Sequence, residues 1–416
     1  MHKFIFPTKD SWIYELSSSV NYGGDEILEL RKDFNSTATE SAVQGVSRAL
    51  IQFDISDVSK SMASGDITNP KFYLKLWNTE ASELSKEYTL TAAPLSASWE
   101  EGTGKWQDDP VKQDGVTWDY RNQAVTSTAW SLSTTPFLSN ATSGARVLSS
   151  GSNNGTGSDG GGVWYTGSLS YSKITHASRY VSPFYATQSF SYESPDISMD
   201  VTNIVTKWIS GSTYSNTPSG YPYGIPNNGF ILKISGSDTA NLGLENNDVD
   251  RFNLKFFSRN THTIYCPKLE VRYDDHIPAT GSITGSHNEL SMSGEVDNYI
   301  YVKGIRPEYR ETETVKFKVG GRPRYIQKSF STSVQEFTGS YFTTGSYSIV
   351  DLATNETVVP FGDYSKISGD SSGMYFNQDL NGFYPNRIYK ILLKVDYEDG
   401  QKIIYDDDDF QFKVVR

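Results

Sequence analysis

Apolar residues in this chain fall mostly into short alternating runs. Residues 48–55 (RALIQFDI), 71–77 (KFYLKLW), 88–92 (YTLTA), 230–234 (FILKI), 252–257 (FNLKFF) and 268–273 (KLEVRY) carry the clearest of them. Such short apolar runs, mostly at every second position, are the pattern of strands in a sandwich. The pattern returns at 299–302 (YIYV), 314–319 (TVKFKV), 347–350 (YSIV), 389–395 (YKILLKV) and 410–415 (FQFKVV). Helical spacing is scarce. Val201, Ile204, Val205 and Trp208 recur at threes and fours and predict one helix over 201–209, with Asp200 to cap its start and Gly211 its end. A Ser/Gly/Asn tract at 149–162 predicts a mobile loop, after which Val163, Trp164 and Tyr165 resume packing. A second break falls at 274–278 (DDHIP), followed by ATGSITGS. It predicts a boundary between a domain over 1–275 and one over 276–416.

The expected class is therefore all-β: an N-terminal jelly-roll β-sandwich followed by a smaller immunoglobulin-like β-sandwich. Composition fits this. Aromatic residues make up 13% of the 416, with 27 Tyr, a residue that favours strands and amphipathic surfaces. The formal net charge of −12 argues against a nucleic-acid partner, which needs a basic footprint. A single cysteine, Cys266, allows no internal disulfide. The first residues, MHKFIFPTKD, do not read as a signal peptide, and no apolar run is long enough for a membrane-spanning helix.

Few residues suggest chemistry. Trp99 with Glu100 and Glu101, and Trp106 with Asp108 and Asp109, set carboxylates beside aromatics, as glycoside hydrolysis and sugar stacking both require. The preferred reading is structural: Trp99 and Trp118 as core, the acids as solvated loop residues. Trp106 stays a candidate ligand or interface contact. So do Tyr214, Tyr221 and Tyr223 in a Pro/Ser/Asn loop, and Arg322 and Arg324 in a Gly-Gly-Arg-Pro-Arg turn, Arg being enriched at interfaces. Acidic runs at 246–250 and 406–409 suit calcium by composition but lack an EF-hand spacing. The five His show no metal-ligand spacing, so no catalytic residue, cofactor or metal ligand is assigned.

Several segments taken in order carry a family resemblance. They are NYGGDEILEL (21–30), RALIQFDI (48–55), SWEEGTG (98–104), DGVTW (114–118), DVTNIVTKW (200–208), GFILK (229–233) and PKLEV (267–271). Together they resemble the DNRLRE, or disaggregatase-related, domain, a β jelly roll grouped with carbohydrate-binding modules. The C-terminal part, through YIYVKGIRPEY (299–309) and GRPRYI (321–326), is loosely similar to virion proteins of tailed phages. The resemblance implies a non-enzymatic protein. The expected role is a structural component of a phage particle (neck, tail, baseplate or decoration), present in many copies, docking on other virion proteins, and made in the host cytoplasm without a signal peptide. The alternative is a carbohydrate-binding or adhesion module contacting surface polysaccharide.

Overall fold

The computed structural model describes residues 1–35, 43–82, 88–124, 127–130, 144–149, 160–171, 178–183, 185–190, 196–213, 225–235, 251–285, 287–292, 297–325, 330, 332 and 339–416. The chain is all-β with sandwich-type sheets, as its alternation predicts. It divides into two compact units: one of residues 5–64 and 71–270, the other of 1–4, 65–70 and 271–416.

In the larger unit the strands Ala186–Phe190, Tyr88–Pro94, Phe230–Ser235, Val43–Phe53, Ile27–Asn35, Phe252–Phe257 and Asn78–Ser82 follow one another across a sheet. Pro7–Tyr14 is its eighth strand and pairs with Val43–Phe53. The long Val43–Phe53 strand thus has three antiparallel partners: Ile27–Asn35 along residues 43–46, and Pro7–Tyr14 and Phe230–Ser235 both along residues 49–51. Its interior residues Ala49, Leu50, Ile51 and Phe53 are fully buried. A second sheet runs Lys71–Leu76 beside Ile197–Asp200 and buries Phe72, Leu74 and Leu76 at alternate positions.

The expected helix is present as Thr202–Thr213, with Val201, Ile204, Val205 and Trp208 buried and Trp208 against Phe230. Asp200 Oδ1 accepts the Thr202 N–H at 2.9 Å, the capping role assigned to it. Gly211 lies inside the helix rather than ending it. A helix at Ser56–Ser64 was not foreseen. It is polar and buries only Val58. Of the Ser/Gly/Asn tract, 150–159 lie outside the described residues. Gly160, Gly161 and Gly162 are buried rather than part of a mobile loop. Gly161 bonds through its N–H to Trp118 O and through its carbonyl to Arg48 Nη1. Arg48 is itself buried, its guanidinium over Trp118 and Trp164.

The smaller unit is a sandwich of two six-stranded sheets. Thr314–Pro323 and Gly373–Asp379 belong to one, and Gly345–Asp351, Arg387–Asp396 and Gln411–Val415 to the other. Their inner faces meet: Tyr347 stacks on Phe376 with centroids 3.9 Å apart, and Phe317 lies 5.3 Å from Phe412. Phe4 belongs to this core although its other members begin only at Ala279. It is 2% exposed and sits edge-on to Phe383. Around it Met1 O accepts the Tyr273 N–H at 3.1 Å, and His2 O accepts Gln378 Nε2 at 2.9 Å.

Candidate functional site

Period-two alternation along Pro7–Tyr14 puts Asp10, Trp12 and Tyr14 on one face of that strand. Two loops come to rest on this face, and their positions are set by one side chain. Asn21, fully buried, donates through Nδ2 to Glu101 O and Val116 O, both at 2.7 Å. Its Oδ1 accepts Gly23 N at 3.1 Å and Gly104 N at 2.9 Å. The segments around 21–24, 98–104 and 114–118 are thus knotted together. The approach is so close that a Cβ on Gly102 (φ +80°) would come within 1.9 Å of Asp114 O. Glycine is required there both by the left-handed backbone and by the space.

The knot delivers Trp106 over the strand face. Its indole is 44% exposed and leans on Trp12, Tyr22 and Tyr14, with centroids 5.5, 5.7 and 6.2 Å away. Asp25 pins the arrangement from below, accepting Trp106 N at 3.1 Å and Trp12 Nε1 at 2.9 Å. Arg31 lies against two rings, its guanidinium carbon 4.2 Å from the Trp106 centroid and 4.1 Å from that of Tyr14. Glu29 and Asp33 hold it at 3.1 Å each. Burial pushes the Asp25 and Glu29 carboxyls above their usual range. Lys105, Glu26 and His262 stand exposed at the rim. The result is an exposed ring with charged donors and acceptors around it. Such a surface can stack on the C–H face of a sugar while its polar groups meet hydroxyls.

Further along the same strand face lies a second cluster. Glu101 takes Arg259 Nη1 at 3.0 and 3.2 Å and the Asp10 N–H at 2.9 Å. Asp10 is buried. One of its oxygens accepts Arg259 N at 2.6 Å and the other has no hydrogen-bond partner. Burial pushes this carboxyl up to about 7. Burial, with Asp10 close by, also pushes the Cys266 thiol up to about 12, leaving it unreactive at neutral pH. A carboxyl raised in the folded state stabilises that state fully below its unfolded value and loses the effect as pH rises through the folded one. Stability is therefore expected to fall between about pH 4 and pH 7, the window set by the two values for Asp10. Thermal melts across that range check it. Asp10→Asn should flatten the slope, and an unchanged slope would remove Asp10 as its source.

Trp99 and Trp118 are core residues, 1% and 2% exposed, as read from the sequence. Glu101 is engaged by Arg259 and Asp10, so it is a structural acid rather than a solvated one. Tyr214, Tyr221, Tyr223 and the acidic run 246–250 lie outside the described residues. Arg322 and Arg324 belong to the smaller unit. Arg322 lies over Tyr299, and Arg324 pairs with Asp297 at 3.1 Å. Asp406 and Asp408 pair with Lys390. Among the described residues no three His, Cys, Asp or Glu are grouped to hold a metal ion, and no helix is long and apolar enough to cross a membrane. Sequence reading missed Trp12, Tyr14, Tyr22 and Arg31. Neither Pro7–Tyr14 nor Ile27–Asn35 is among the strands that the alternation marks, and no local pattern shows that a loop brings Trp106 to them.

Residues 2–159 match the family model of carbohydrate-binding module family 96. The match includes the Asn21 knot and the Trp106 cluster apart from His262 at its rim. No curated protein and no solved structure matches the chain.

Proposed function

We propose that the larger unit is a non-catalytic carbohydrate-binding module that holds a polysaccharide against Trp106. The observation that carries this reading is the exposed indole, fixed by Asp25 and Arg31, within the stretch that matches a carbohydrate-binding family. Sugar rings stack on Trp106. Arg31, Glu29, Asp33 and Lys105 supply hydrogen bonds that choose among hydroxyl patterns. Of the two roles expected from the sequence, the family match supports glycan contact. It does not speak to a virus particle.

Affinity electrophoresis of the whole chain through gels carrying single polysaccharides tests the proposal. At least one polysaccharide should retard the protein. Trp106→Ala should weaken that retardation tenfold or more, about 1.4 kcal/mol. Because the ring is half exposed, the thermal midpoint should move little. Retardation unchanged by Trp106→Ala, or no retardation by any polysaccharide in a broad panel, would overturn it.

A further inference from the structure

The smaller unit presents a surface that the Trp106 site does not use. Its strand Asn298–Lys303 pairs antiparallel with Thr314–Pro323, placing Tyr299 opposite Arg322, Tyr301 opposite Gly320 and Lys303 opposite Lys318. Alternation sends Ile300, Val315, Phe317 and Val319 into the core. It turns Tyr299, Tyr301, Lys303, Lys318 and Arg322 to the other face. The two tyrosine rings are near parallel, 5.4 Å apart at 23°. Arg322 lies over Tyr299 at 5.1 Å and Lys303 over Tyr301 at 5.7 Å. Gly320 makes room for this: a Cβ there would come within 2.6 Å of the Tyr301 ring. The missing side chain lets Tyr301 lie across the neighbouring strand.

Part of the positive charge on this face is uncompensated. Among the described residues no carboxylate lies within ion-pair distance of Lys303, Lys318 or Arg322, although the chain as a whole carries −12. Neighbouring Lys316, by contrast, is neutralised by Asp370. Lys303 and Lys318, directly opposite in the register, repel one another, and an anionic partner relieves that repulsion.

We propose that this face binds an anionic polysaccharide, one bearing carboxylate or sulfate groups along its length. Lys303, Lys318 and Arg322 meet the acid groups, and the two tyrosines meet the sugar rings between them. Lysine is depleted at protein interfaces, whereas two of these three cations are lysines, which favours a glycan over an acidic protein. The geometry also suits a linear polymer. Tyr299, Tyr301 and Lys303 stand at every second residue, about 7 Å apart, along a strand that, among the described residues, is paired on one side only.

The test uses the whole chain against polygalacturonate, dextran sulfate, uncharged dextran and poly-glutamate. The polyanionic glycans should bind, with affinity falling steeply as salt rises, and uncharged dextran should not bind at this face. Lys318→Glu with Arg322→Glu should abolish this binding. Lys318→Gln with Arg322→Gln, a milder pair, should weaken it tenfold or more. Tyr301→Ala should weaken it several-fold. The same binding should persist in Trp106→Ala, which separates this surface from the first site. Polyanion binding that survives both double variants, or that disappears with Trp106→Ala alone, would overturn the assignment. Poly-glutamate binding as tightly as polygalacturonate would replace the glycan with an acidic peptide.

Discussion

Asn21→Ala is expected to destabilise the larger unit by about 4 kcal/mol and to dismantle the Trp106 platform with it. Asn21 spends its whole hydrogen-bonding capacity on backbone: two carbonyls take its amide protons and two N–H groups reach its oxygen. Alanine would leave these four groups buried without partners. Each such orphan costs about 1–3 kcal/mol, lessened where the loops relax toward water. The packing of Gly23 directly on backbone limits that relaxation, since a Cβ there would lie 2.0 Å from Glu101 O and 2.9 Å from Gly102 O. Urea denaturation followed by tryptophan fluorescence measures the loss. Asn21→Asp, which keeps the acceptor but not the donors, should fall between wild type and alanine. A loss below about 1 kcal/mol for alanine would mean that the loops are held by something other than this knot. Because Gly104 is within two residues of Trp106, the glycan retardation should disappear together with the fold of this region.

Phe4→Ala is the second large effect, expected to cost the smaller unit about 4 kcal/mol. The ring is buried beside Phe383 in a core whose other members, apart from Phe4 itself, come from residues 279–414. The side chain approaches Gly382 so closely that a Cβ there would lie 2.4 Å from Phe4 Cβ. Surroundings so tightly packed cannot collapse into the space a phenyl ring leaves, which places the cost toward the high end for such truncations. Hydrogen exchange locates the effect. Amides of Gly373–Asp379 and Arg387–Asp396 should lose protection in the variant. Protection unchanged in those strands would show that the N-terminal residues only decorate this unit.

The strands and their buried faces were legible because alternation is a local property. Lys71–Leu76 and Phe252–Phe257 bury the residues that their pattern marks. The helix at Thr202–Thr213 was legible for the same reason, through the three-and-four spacing of Ile204, Val205 and Trp208. Its end was not, because a glycine ends a helix only where the following chain turns away. Ser56–Ser64 escaped notice since a helix with a single buried residue leaves no apolar stripe to read. Composition alone marks Gly160 and its two neighbours as loop. They are buried because glycine, lacking a side chain, fits against the Trp118 ring and leaves a carbonyl for Arg48.

The candidate site divides in the same way. Alternation marks the chain as all-β, and the polar, acidic surroundings of Trp106 mark it as a loop residue rather than part of an alternating strand. Those are properties of composition and short-range order. Tertiary contacts alone set Trp12, Tyr14, Tyr22 and Arg31 beneath Trp106, tie Glu101 to Arg259, and let Phe4 complete a core made mostly by the far end of the chain. Each of these pairs residues tens to hundreds of positions apart. Their meeting depends on strand order and on backbone contacts such as those of Asn21, which no local pattern encodes.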